Sequence, residues 1–330
     1  NWVRGRMFGT GLSGRLLFRR SYASAAAAAA AKSTSSPSNV DAIVSHASRS
    51  FPMKDAFKFL ETTARKTLMW TYRDTARYSS ALAGGLQEIG YSKGDKILVW
   101  IPYGSPEFLA LSLAAAKLGV IIVPVTPPVD KSNADLNPVV DALDVHAPKG
   151  FVFWHEFSVA LPEDFVWRAE EDGICALTER LFPGIRSDTK GLHGLTRSTG
   201  VPFSSPRFPT LKHVVHTGPR NWRQLIQLRS LMGMEMSGSV NVSDSDVFME
   251  SGSKLSHKDV LSTAKKVGGE LQLSGDHTLK TGRVVIPTAA SAESVMQNAL
   301  SALLNESLGV FPGYSADATV AQALAQQENA

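Results

Sequence analysis

The residues with the clearest chemical potential lie together in DVFMESGSKLSHKDVLSTAKK, from Asp246 to Lys266. Ser251, Gly252, Ser253 and Lys254 combine two hydroxyls, a flexible glycine and an ammonium, followed at once by Ser256 and His257. Between an apolar strand and a helix, such a set can wrap a phosphate, because backbone N–H groups and a helix N-terminus both attract anions. The connecting loop is short for that work. Binding of a phosphorylated ligand therefore stands against a shortened structural turn, and the shortness favours the turn.

Other candidate groups are isolated. His213 and His216 sit three apart in an apolar run that reads as a strand, so they are expected to face opposite sides and hold no metal between them. His155-Glu156 follows the apolar run GFVFW, but adjacency at a strand end imposes no acid–base geometry. Cys175 stands alone in the chain, which excludes an internal disulfide and a cysteine-based zinc site and reads as an inert thiol. The run Gly9-Thr10-Gly11-Leu12-Ser13-Gly14 has the letters of a dinucleotide fingerprint. It lacks the buried strand before it and the acidic residue about twenty positions on, so targeting or chance is the better reading. Glu170-Glu171-Asp172 reads as solvated helix surface.

The elements that must position these groups follow from apolar periodicity. Of the 330 residues 43% are hydrophobic, enough for one large core or two modest ones. DAFKFLETTARK, from Asp55 to Lys66, has helical spacing at Phe57, Phe59 and Leu60, and Met69 to Tyr72 reads as a short strand. A helix over about Asp74 to Ile89 should stop at Gly90, a strand should run from Lys96 to Ile101, and a helix from Pro106 to Lys117 should close at Gly119. GVIIVPV supplies the next strand. Continuous apolar strands alternating with helices predict an α/β fold with a mostly parallel sheet flanked by helices.

The amino-terminal segment is different in kind. The first forty residues hold six basic residues and no acidic one, so the rest of the chain is net −2 although the whole is +4. Rich in Arg, Ser and Ala, with Phe8, Leu12, Leu16, Leu17 and Phe18 on one helical side, it has the composition of an organellar transit peptide, with cleavage expected before Ala23. Residues 33–50, Ser-rich with Pro37, read as a linker. Two parts are expected: the transit-peptide-like arm and linker over 1–50, and one domain over 51–330. The basic residues of the arm account for the high overall pI, so no nucleic-acid footprint is indicated. The apolar stretch Leu118 to Val129 is broken by Pro124, Pro127 and Pro128, so no transmembrane segment is expected.

WTYRDTARYSSALAGGLQEIGYSKGDKILVWIPYGSPEFLALSLAAAKLGVIIVPVTP resembles the amino-terminal region of the adenylate-forming acyl-CoA synthetases, the AMP-binding superfamily. The residues carrying the resemblance are the W-T-Y start, the helix ending in A-x-x-L-x-x-x-G, Lys93-Gly94-Asp95 before a strand, Pro106-Glu107 opening a helix, and Ala-Lys-Leu-Gly-Val before a Val-Pro strand end. NPVVDALDVHAPKGFVFWHE is similar to the next helix and strand, LKHVVHTG to the strand before the phosphate loop, and TGRVVIPTAASAESVMQNALSALL to the strand and helix after it. The stretch from Phe157 to Pro209 matches poorly.

The resemblance implies a partial synthetase large-domain fold, and it implies that Ser251-Gly252-Ser253 starts a T-S-G-T-T-G-x-P-K-G phosphate loop while Ser256-His257-Lys258-Asp259 matches its S-H-x-D helix start. About seven residues of that loop are missing. Lys254 would stand nearest the phosphate lysine. The family's adenine, magnesium and ribose motifs and its catalytic lysine have no counterpart before Ala330, and Gly275-Asp276 does not supply them. The expectation is a non-catalytic accessory subunit of a mitochondrial multiprotein complex, with the ATP synthase or respiratory chain as plausible hosts. On that reading Ser251, Gly252, Ser253 and Lys254 are a degenerate remnant, no cofactor or metal is bound, and the partners are other protein subunits in the matrix or on the matrix side of the inner membrane. An ATP-dependent acyl-CoA synthetase, split between chains, and an acyl-CoA binding module without chemistry are the alternatives.

Overall fold

The computed structural model describes residues 38–60, 67–128, 133–157, 177, 180–183, 203–219, 224–233, 236, 238–273, 283–288 and 290–313. The amino-terminal arm with its Gly9–Gly14 run, Cys175, the acidic run 170–172, Gly275-Asp276 and residues 314–330 lie outside the described residues.

Seven strands form the larger sheet: β3 (Lys96–Trp100), β4 (Ile121–Pro124), β5 (Gly150–Phe153), β6 (His213–His216), β7 (Leu225–Gln227), β8 (Val247–Ser251) and β9 (Ser253–Ser256). Their order across the sheet is β7-β6-β5-β3-β4-β8-β9, and every pairing is parallel except β8 with β9. Leu98 on the central strand pairs with Val123 on one side and Phe151 on the other. Ile97, Leu98, Val99, Ile122, Phe151, Val152, Val214 and Val215 are all buried, which is why these strands read as unbroken apolar runs. Burying each such side chain contributes roughly 1.5–3 kcal/mol.

The helices α2 (Tyr72–Glu88), α3 (Pro106–Leu118) and α4 (Asn137–His146) connect or flank these strands where the sequence placed them. Several residues that carry the family resemblance prove to be structural devices. Thr71 and Asp74 of the W-T-Y-R-D start form a reciprocal capping box at the head of α2. In Lys93-Gly94-Asp95, the lysine pairs with Asp246, the glycine N–H bonds to the Gly119 carbonyl at 2.8 Å, and the aspartate accepts from Lys149 at 2.7 Å. Gly85 lets α2 meet the turn that follows β7, for a Cβ there would lie 2.0 Å from the Leu231 carbonyl oxygen.

A second, four-stranded sheet was not anticipated. Its order is β10 (Arg283–Val285), β11 (Leu308–Phe311), β1 (Asp55–Phe59), β2 (Leu68–Thr71). The helix expected over Asp55–Lys66 is corrected by it: Asp55–Phe59 is a strand, parallel to β11 and antiparallel to β2, and residues 61–66 lie outside the described residues. Phe57 and Phe59 alternate onto one face, where Phe311 stacks 4.8 Å from Phe59 and Trp70 meets it edge-on at 5.0 Å. Pairing with a strand some 250 residues away in the chain overrides the local helical spacing.

The linker expected over 33–50 is likewise corrected at its end, where Val40–Ser50 forms α1. Asn39 caps it, accepting from the Ala42 N–H at 2.8 Å, and Val40, Ile43, Val44 and Ala47 are buried at the i, i+3, i+4, i+7 spacing of one helical face. The carboxy-terminal helices α5 (His257–Leu273) and α6 (Ala292–Leu304) pack against each other, and α6 also packs against β11 of the second sheet.

Candidate functional site at the carboxyl rim of the sheet

In an open parallel sheet, ligands gather outside the carboxyl ends of the strands where the strand order reverses. The reversal here is at β3, since the chain passes from β3 to β4 on one side and then to β5 on the other. The carboxyl rim divides into a β8–β9 end and a β3–β5–β6 end.

At the β8–β9 end the sequence predicted a strand, a loop and a helix. The structure instead makes a hairpin. Glu250 pairs with Lys254 and Ser251 with Ser253, leaving Gly252 alone in the turn at φ 72°. Gly252, Ser253 and Lys254 are exposed, and Ser251 is half-buried. One turn residue cannot encircle a phosphate chain, so these residues do not fit the phosphates of ATP. The S-H-x-D helix start also has a structural duty. Ser256 accepts from the Asp259 N–H at 3.2 Å, while the Asp259 carboxylate takes the Ser256 N–H at 2.9 Å, a capping box for α5. His257 points inward and is buried, with Nδ1 accepting from the Val40 N–H at 3.4 Å and Nε2 unpartnered. Burial depresses its pKa to about 4.

At the β3–β5–β6 end the sequence-predicted His155 and Glu156 separate. The His155 N–H and its Nδ1 both meet the Thr217 hydroxyl, at 3.1 and 3.0 Å, whereas Glu156 is exposed. His213 and His216 do point to opposite faces, as their spacing requires: His213 packs on the Tyr91 ring at 5.3 Å, and His216 lies inside near Phe153. His216 accepts from the Gly218 N–H through Nδ1 at 3.1 Å, leaving Nε2 buried without a partner. Burial, then His155 and Arg229, lower its pKa to about 4. Among the described residues no group of three His, Cys, Asp or Glu could hold a metal ion.

Two residues on this rim were not singled out from sequence as site residues. Glu107, in the first turn of α3, has a buried Oε2 with no hydrogen-bond partner, and burial pushes its pKa up to about 6, with the Glu156 charge adding to the shift. Trp154, 4% exposed, has an indole N–H with no partner. By contrast the Trp100 indole donates to the Thr126 carbonyl at 3.3 Å, and burial lifts the Tyr103 phenol to about 12. A carboxyl that changes protonation near neutrality can both donate to and accept from a ligand, and perturbed groups of this kind concentrate at functional sites. The one sequence signal was position: a carboxylate just after a strand end and Ser-Pro, at the head of a mostly apolar helix.

Residues 44–136 match the family of AMP-binding enzymes. The chain is 26% identical over 208 residues to the mitochondrial medium-chain acyl-CoA ligase ACSF2 of Bos taurus, covering 62% of this chain and 32% of that protein. The Rattus norvegicus ligase of the same name is 25% identical over 240 residues, 72% of this chain and 36% of its own. The chain thus spans about a third of the length of those ligases. Its fold matches a Mycobacterium tuberculosis fatty acyl CoA synthetase with TM-score 0.55 at 14% identity, over 88% of this chain and 47% of that one. The amino-terminal domain of FACL13 from the same organism matches with TM-score 0.56 at 16% identity, over 88% and 61% of the two chains. Both neighbours share the mixed α/β arrangement of parallel sheets flanked by helices.

Proposed function

We propose that this chain is a non-catalytic accessory subunit of a mitochondrial protein assembly, built on an acyl-CoA synthetase-like fold. The observation that carries the reading is the β8–β9 hairpin, where Ser251 pairs with Ser253 around Gly252 alone. In the family the corresponding segment is a long loop around phosphates; here the same segment has become sheet edge. The mitochondrial setting is supported by the transit-peptide-like composition of the first forty residues and by the mitochondrial designation of the ACSF2 relatives. A large inner-membrane assembly, the ATP synthase or a respiratory-chain complex, is the host class we favour, because such assemblies can take up accessory subunits recruited from enzymes.

The experiment is native electrophoresis of gently solubilised mitochondria, with mass spectrometry of the band that holds this chain. Co-migration with the subunits of a large complex supports the proposal and names the host. Migration as a free species near 35.5 kDa overturns it. One observation favours a second reading, an acyl-CoA binding module: the rim keeps Glu107 and Trp154 with unused hydrogen-bonding capacity. On that reading octanoyl-CoA raises the unfolding temperature and ATP does not, since a ligand that binds only the native state adds to apparent stability. Carboxylate-dependent exchange of pyrophosphate into ATP by the purified chain would defeat both readings and restore the ligase.

A further inference from the structure

A cleft of about 630 Å³ lies between the start of α1, α2, the last turn of α3 and the segment 232–240 that follows β7. Its size is that of a small-molecule site, for which roughly 300–1,000 Å³ is usual. Its place follows from the direction of α3, which opens at the rim with Glu107 and reaches the cleft with Lys117, ten residues and about 15 Å further along the helix. The cleft is therefore separate from the rim.

The segment 232–240 supplies apolar side chains and the helices supply charge. Met232, Met236 and Val240 are each half-buried against the core and line the cleft. The backbone between them leaves the space open, since a Cβ added at Gly233 or Gly238 would meet nothing within 4 Å. From α3, the Lys117 ammonium donates to the Asp41 carboxylate of α1 at 3.0 Å, the two side chains being 20% and 31% exposed. From α2, Arg77 donates to the Tyr78 hydroxyl at 3.1 Å and lies 3.7 Å from Asp74, with its side chain 64% exposed. An ammonium and a guanidinium carry more N–H groups than these bonds use. Among the described lining residues two cations thus meet one carboxylate, Asp41, which leaves one positive charge in excess.

We infer that this cleft binds a small monocarboxylate with an apolar body. One negative charge matches the excess, whereas a phosphate dianion would overshoot it. The carboxylate accepts from the Arg77 fork and from the Lys117 N–H groups that Asp41 does not use, bonds of the stronger, charge-assisted kind. Met232 and Met236 take the body, because a flexible, polarizable thioether fits irregular apolar shapes and favours contact with aromatic rings. Neither the rim nor the hairpin contributes a residue, so the inference does not rest on the function proposed above.

The test is calorimetric titration of the full chain with 4-phenylbutyrate, set against 4-phenylbutanol, which lacks the charge, acetate, which lacks the body, and inorganic phosphate. Binding of 4-phenylbutyrate at a single site is expected, with the other three at least about tenfold weaker. Arg77→Gln should weaken it about tenfold, as loss of a hydrogen bond to a charged group does. Lys117→Gln together with Asp41→Asn should weaken it by a similar factor, the paired change leaving no carboxylate without its partner. Ser80→Trp, which fills the cleft from α2, should abolish binding and Ser80→Ala should not; unfolding midpoints without ligand show that each variant is folded. Glu107→Gln at the rim should bind as the parent does. No binding, equal binding of the alcohol, acetate or phosphate, or parental affinity in both Arg77→Gln and the paired variant would each overturn the inference. So would loss of binding in Glu107→Gln, which would place the carboxylate at the rim.

Discussion

The two ends of one sheet edge have been treated in opposite ways. At the β8–β9 end the polar groups of the turn and helix start are used, with His257 Nε2 behind them unpartnered: the strands pair across a single glycine, and Ser256 and Asp259 bond each other to start α5. At the β3–β5–β6 end, Glu107, Trp154 and His216 each hold a buried polar atom without a hydrogen-bond partner. An unsatisfied buried group costs about 1–3 kcal/mol, so natural folds rarely keep several without a reason. The hairpin has been finished as structure, whereas the rim retains the unpaired polarity that a binding site needs.

The largest test of that contrast is acid. His216 at the rim and His257 behind the hairpin are both held neutral, with pKa values near 4 against an ordinary 6.5, in each case mainly by burial. For a base whose folded pKa is depressed, stability is complete above pH 6.5 and is lost as pH falls towards 4. Each histidine should remove up to about 3 kcal/mol across that window. Denaturant titrations at successive pH values should therefore show a steep fall below pH 6.5, and His216→Phe or His257→Phe should each remove about half of the slope, whatever its effect at pH 7. A pH-independent midpoint from 6.5 to 4 would mean that neither pocket is dry.

Glu107 works with the opposite sign. Its folded pKa is raised from 4.5 to about 6 by burial and by Glu156, so the native state prefers the neutral carboxyl and gains stability as pH falls from 6 towards 4.5. Glu107→Gln should stabilise the protein at pH 7 by about 2 kcal/mol and remove that gain from the pH profile. The gain in stability would mark the native carboxyl as retained for something other than folding. No change at pH 7 would show that water or another group already satisfies it, and the contrast between the two ends would lose its main support.

How far these features could be read from sequence depends on where their partners are. β3, β4, β5, β6, α2 and α3 were legible because their signals are local: unbroken apolar runs, Pro106 at a helix start, Gly119 at φ 70° at its end. β1 was misread because Ala56, Phe57 and Phe59 fit either period, and what decides between them is Phe311, far along the chain. α1 was hidden by serines on its exposed face, although Val40, Ile43, Val44 and Ala47 carry the helical period. The hairpin was half legible. The missing loop residues could be counted, but the pairing of SKLS back onto β8 could not be seen in four residues with one apolar side chain. Glu107 was legible only as a helix opener, because burial and the Glu156 charge are properties of the assembled rim.

The smallest predicted effects separate remnant from structure within the hairpin itself. Ser256→Ala removes the side-chain acceptor that caps α5 and should cost about 1 kcal/mol, as loss of an N-cap hydroxyl generally does. Lys254→Ala should stay within about 0.5 kcal/mol of the parent, because the side chain is exposed and holds no packing position. The order matters more than the sizes. In a phosphate loop the lysine is the residue that function protects and the helix-start serine is secondary; in a hairpin that has become plain structure the ranking reverses. Thermal or denaturant midpoints of the two variants, measured with and without ATP, decide it. A Lys254→Ala loss larger than that of Ser256→Ala, or one that appears only when ATP is present, would show that the ammonium still has an anion to hold and that the hairpin opens to admit it.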